Sequence, residues 1–151
     1  MLRQFAQLYL RLAIGIGFFF FGLDRLGAWG PNGKPGISWG DWKHFSPYAH
    51  HLMNYLPYTL AESFAIIATF VEVTGGSLLI IGLWTRQAAL ACSFLTLCFA
   101  LAMAIADGIT SPMSYSVFTV SAASLLLATI PEYRFSVDRL IAKNRVTLSH
   151  E

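Results

Sequence analysis

The sequence predicts an all-α integral membrane fold: a bundle of four helices, with a long outer loop between the first two and a basic amphipathic cytoplasmic tail. Two observations predict it. Of 151 residues, 56% are hydrophobic and only 12% are charged, about half the charged share of a typical soluble domain. The apolar residues also gather into four continuous stretches. The strands of a membrane barrel would instead alternate apolar and polar residues over ~10-residue segments. The whole chain, 1–151, reads as a single membrane domain. Its helices are expected over about 4–26, 59–83, 87–106 and 112–130, and its tail over 131–151.

The amino-terminal stretch has the basic start and apolar run of a signal peptide. Arg11 interrupts that run, however, and no small-x-small cleavage site follows, so the stretch reads as a retained first helix. Arg11, Gly15, Phe18, Gly22 and Arg25 share one face of it. Glycines on such a face let a neighbouring backbone approach closely.

Residues 27–58 form the one long connection. Its first half is rich in Gly, Pro and Trp and reads as loop and turn. A short surface helix is expected from about Phe45 to Leu56. Trp29, Trp39, Trp42, Tyr48, Tyr55 and Tyr58 suit a membrane–water interface.

The second helix, TLAESFAIIATFVEVTGGSLLIIGLW, carries two carboxylates in a stretch long enough to cross ~30 Å of hydrocarbon. A charge near the bilayer centre costs at least ~2.5 kcal/mol and rarely faces lipid. At 100° per residue, Glu62, Ala65, Thr69, Glu72 and Gly76 fall within an arc of roughly 80°. The helix is thus an apolar wall with one inward seam of small and acidic residues. Thr59-x-x-Glu62 matches a capping box behind Pro57.

A short turn at 84–86 makes the second and third helices antiparallel neighbours. Gly108 is expected as a left-handed cap. Ser111-Pro112 is expected to start the fourth helix, and Pro131 to stop it. In the tail, Val137, Leu140 and Ile141 alternate with Arg134, Arg139, Lys143 and Arg145, as in a segment lying on an anionic membrane surface. Basic residues gather on the side holding both termini, which the positive-inside rule places in the cytoplasm.

The net charge of +2 comes with no basic surface that could track a phosphate backbone, so no nucleic-acid partner is expected. Cys92 and Cys98 lie about 120° apart on one helix and read as packing residues. No metal site is expected: H-E-x-x-H and C-x-x-C are absent. His44, His50 and His51 read as solvated or interfacial.

Arg11, Arg25, Glu62 and Glu72 form the main constellation. If Arg25 lies level with Glu62 at the outer boundary, Arg11 and Glu72 are left offset by about 6 Å, a gap that a long arginine closes in part. Glu72 is then either half of a buried ion pair that fixes helix register or a proton-handling group. Glu62 is explained by capping alone.

The run LRLAIGIGFFFFGLDRL resembles the first helix of the DoxX family, with Arg25 where that family usually has lysine. The run FVEVTGGSLLIIGLWTRQAAL resembles the family's E-x-x-G-G-x-L-L-x-x-G-x-x-T-R segment at Glu72, Gly75, Gly76, Leu78, Leu79, Gly82, Thr85 and Arg86. The resemblance extends from about Arg11 to Ile130. It implies a four-helix bundle in the cytoplasmic membrane of a prokaryote. It also implies kinship with the membrane subunit of thiosulfate:quinone oxidoreductase and with redox complexes that handle thiols. The expected function is therefore a membrane subunit of a quinone-linked oxidoreductase, with the lipid bilayer, a quinone and a redox partner protein as its partners. Glu72 would transfer the proton and Arg11 would be its charge partner. Arg25, Glu62, Thr69 and Gly76 would line the quinone-facing seam. The alternatives are a non-catalytic scaffold or assembly factor and, third, a small-solute carrier. A homodimer stays open.

Overall fold

Seven helices make up the computed structural model, which describes residues 1–148. They are α1 (Leu2–Asp24), α2 (Trp42–Leu52), α3 (Tyr58–Ile81), α4 (Thr85–Asp107), α5 (Thr110–Ser114), α6 (Val117–Ala128) and α7 (Val137–Leu148). By length and composition α1, α3 and α4 can each cross a membrane, while α6 is apolar but shorter. α1 packs on α3 and α4 on α6, and contacts between α3 and α4 join the two pairs. The start of α1, the α3–α4 turn and the α6–α7 link meet at one end. α2 and the end of α4 meet at the other, joined by a hydrogen bond from His51 to Asp107.

Glycines bring α1 and α3 together. A Cβ on Gly76 would lie 2.6 Å from Phe19 N and 2.8 Å from Gly15 O, so neither helix could hold its position if that glycine grew a side chain. Gly22 is equally tight, its Cβ position being 2.7 Å from Val73 Cγ2. Below this crossing, Ile14, Phe18, Leu79, Ala89, Cys92 and Leu127 form the core. Large apolar side chains such as Ile67, Phe70, Phe94, Ile105 and Leu126 point outward, as a lipid-facing surface requires.

Four expectations need correction. The fourth helix, expected as one rod over 112–130, is two helices. The chain takes a left-handed turn at Ser116 (φ 55°), and α6 alone spans about 18 Å. α5 begins at Thr110, not at a Ser111 cap, and no side chain caps it. The Thr59–Glu62 capping box does not form, because α3 starts at Tyr58, with Pro57 rather than Thr59 at its cap position. Glu62 is thereby free to bond to α2. The loop helix begins at Trp42 rather than Phe45, since Asp41 accepts from His44 N (2.9 Å) and caps it.

The tail is more than a surface segment. The Asp138 carboxylate accepts from Trp84 N (2.8 Å) and Thr85 N (2.9 Å), satisfying donors left open at the start of a helix. Asp138 N in turn donates to Gly82 O (2.9 Å). α7 follows, with Leu140 and Ile141 exposed. Of the expected tail, residues 149–151 and the side chain of Arg145 lie outside what is described.

Candidate functional site: a buried arginine–glutamate pair under a loop helix

Asp24 and Arg25, at the end of α1, point in different directions and do different work. Asp24 is fully buried and accepts from three backbone N–H groups of the following loop: Ser38 (3.1 Å), Trp39 (2.8 Å) and Gly40 (3.3 Å). Gly40 has a positive φ of 73° and passes hard against Asn32, a position closed to other residues. The loop is thus tied back onto α1 and delivers α2 across the end of the bundle. Phe45, Ala49 and Ala65 form a second small core there, with Trp39, Trp42 and Met53 packed around it.

Arg25 lies beneath that cover and is 7% exposed. Its Nη2 donates to Glu72 Oε1 (3.0 Å) and its Nη1 lies 2.7 Å from Oε2. Nη1 also reaches Thr69 Oγ1 (3.3 Å), whose own hydroxyl donates to Ala65 O. The ring of Phe45 from α2 sits 4.1 Å from the guanidinium carbon, and that of Phe99 from α4 sits 5.6 Å from it. Both lie within the range of cation–π attraction. Arg25 Nε is buried with no partner among the described residues.

Arg11, expected as the partner of Glu72, is elsewhere. It is buried at the opposite end, its Nη2 donating to Phe135 O (2.7 Å) and its guanidinium resting against Gly82. The reason is register. The Gly15–Gly76 and Gly22–Val73 contacts set position 25 against 69–72 and position 11 against 82. Aligning Arg25 with Glu62 places α1 seven residues, about 10 Å, from where the glycines hold it. Of the expected seam, Thr69 and Glu72 converge on Arg25, while Gly76 serves the helix crossing.

Glu62 belongs to a neighbouring cluster. Its carboxylate accepts from Trp42 Nε1 (2.7 Å) and Ser46 Oγ (2.8 Å) and pairs with His50 Nε2 (2.6 Å). His50 stacks on Tyr58 with ring centroids 4.0 Å apart. His44 and His51 pair with Asp41 (2.7 Å) and Asp107 (2.6 Å). All three histidines therefore face carboxylates; His44 and His51 stay exposed, as expected of solvated or interfacial rings, while His50 is largely covered. The spacing Trp42, Ser46, His50 is a four-residue repeat along one helix face, a signal already present in the chain. Outside the long helices, burial holds the Tyr48 phenol above its ordinary value. Hydrogen bonds from His44 hold the Asp41 carboxyl below its own. Among the described residues, no three of His, Cys, Asp and Glu converge as metal ligands would.

The arrangement combines a carboxylate, a guanidinium with one uncommitted donor, and two aromatic faces in a water-poor setting. The model of the DoxX family matches residues 6–105, a span that contains most of α1, the loop with α2, α3 and nearly all of α4. Comparison with curated proteins and with solved structures gives no significant match.

Proposed function

The chain belongs to the DoxX family, and from that membership and the buried Arg25–Glu72 pair we propose that it is the membrane subunit of a quinone-linked oxidoreductase. The observation that carries the reading is Arg25 Nε, a buried donor without a partner among the described residues, on a guanidinium that also meets the rings of Phe45 and Phe99. A quinone carbonyl is an acceptor on a flat ring and meets both needs. A quinone bound there would take up two electrons and two protons from the donor side. Glu72 holds or releases one proton beside it. Arg25, not Arg11, balances the charge of Glu72, and Thr69 steadies the guanidinium. α2 shields the pair from water, and its outer surface is where a redox partner protein or a soluble sulfur compound would approach. In this reading α5 and α6 together complete a fourth crossing, and both termini lie in the cytoplasm of a prokaryotic cell.

The test is direct. The protein is purified in mild detergent, its lipids are extracted and analysed for quinone, and quinone is titrated back. A stoichiometric quinone that is lost in Glu72→Gln and kept in Phe94→Leu, a change at an exposed α4 position, supports the reading. No bound quinone and no binding on titration refutes it. One observation favours a second reading, a scaffold for a redox complex: the α1–α3 seam is closed by glycine contacts and its charges are already paired. In that case α2 and the tail dock partner proteins, and the titration gives nothing.

A further inference from the structure

At the end of the bundle opposite the Arg25–Glu72 pair, a cavity of about 320 Å³ opens between the start of α1 and the chain leaving α6. Its polar lining is Arg3, Gln4, Gln7, Glu132 and Arg134. Gln7 is 3% exposed. Its Nε2 donates to Arg134 O (3.0 Å), which fixes the amide and leaves Oε1 buried with no partner. A buried acceptor is costly to leave without a donor. The Arg134 guanidinium is held in place by the amide oxygen of Gln4. The cavity is therefore lined by two cations, a carboxylate and an orphan carbonyl.

We propose that this cavity binds the headgroup of a phosphoethanolamine lipid. The phosphodiester meets Arg3 and Arg134, which supply charge-assisted donors. The ammonium gives one N–H to Gln7 Oε1 and its charge to Glu132. A phosphoglycerol headgroup could satisfy Gln7 with a hydroxyl but would leave Glu132 beside a net anion. A phosphocholine headgroup carries the charge but has no N–H for Gln7. The cavity lies at a helix end where lipid headgroups are found, and Leu2 and Phe5 are exposed beside it to meet acyl chains. A lipid thus suits the site better than a free phosphate ester.

The experiment is native mass spectrometry of the full chain, taken from vesicles containing equal parts of phosphatidylethanolamine, phosphatidylglycerol and phosphatidylcholine. Retained phosphatidylethanolamine should exceed each of the others by about tenfold, as one additional good polar contact would give. Glu132→Gln, at an exposed residue, should erase the preference over phosphatidylglycerol. Arg134→Gln should lower retention of all three. Far-UV circular dichroism checks that both variants keep their helices. Equal retention, a preference for phosphatidylglycerol, or an unchanged preference in Glu132→Gln would overturn the assignment. Soluble O-phosphoethanolamine should not displace the lipid; displacement at matched headgroup concentration would overturn the choice of a lipid. None of these results depends on quinone binding.

Discussion

Replacing Arg25 with leucine leaves the Glu72 carboxylate buried, 5% exposed, with its 2.7 and 3.0 Å guanidinium contacts gone. Removing one partner of a buried ion pair costs about 3–5 kcal/mol, because the other charge remains desolvated. Glu72→Leu should cost a similar amount by stranding Arg25. The double variant Arg25→Leu/Glu72→Leu removes both charges and fills the space with apolar volume, a change that is often close to neutral. The two singles and the double then form a cycle with a coupling of roughly 3 kcal/mol or more. Reversible unfolding in mixed micelles, followed by circular dichroism, measures each corner. Arg11→Leu supplies the control: it breaks the bond to Phe135 O and should destabilise the tail junction without coupling to Glu72. Coupling of Glu72 to Arg11 and none to Arg25 would refute both the pairing and the helix register behind it.

Gly76→Ala should cost about 1–3 kcal/mol by overpacking, since its Cβ would press on the backbone of α1 at Phe19 and Gly15. Gly17→Ala, with nothing within 4 Å, should be neutral or better, and the same unfolding assay compares them. Asp138→Ala removes the acceptor at the start of α4 and should cost about 0.5–2 kcal/mol, the range for lost caps. Faster hydrogen exchange confined to the amides of Trp84 and Thr85 and to α7 would identify it. The Asp41 carboxyl is held below its ordinary 3.8 by hydrogen bonds from His44. Its folded value is the lower one, so its contribution is complete above the unfolded value and fades as pH falls through the folded value. Protection of the His44 amide should therefore be constant from neutrality down to about pH 5 and fall only below that. Asp41→Asn keeps a good cap and should remove that dependence; loss of protection near pH 6 in the natural chain would contradict it.

The chain by itself settled which faces turn inward. A 3.6-residue period and the cost of a charge in hydrocarbon were enough to put Arg11, Gly15, Phe18, Gly22 and Arg25 on the buried face of α1. The same two facts put Ala65, Thr69, Glu72 and Gly76 on the buried face of α3. They could not settle which arginine meets which glutamate. Sliding one helix past the other by seven residues, two turns, returns nearly the same face to the seam. Arg25 opposite Glu62 and Arg25 opposite Thr69 and Glu72 therefore look alike on a wheel. Backbone contact at Gly15 and Gly76 decides between them, and that is a property of two helices together. The break at Ser116 and the capping of α4 by Asp138, 54 residues from Trp84, were hidden for a related reason. Local spacing records what a segment can do alone, while a distant carboxylate can satisfy a helix end only once the chain has folded back to bring it there.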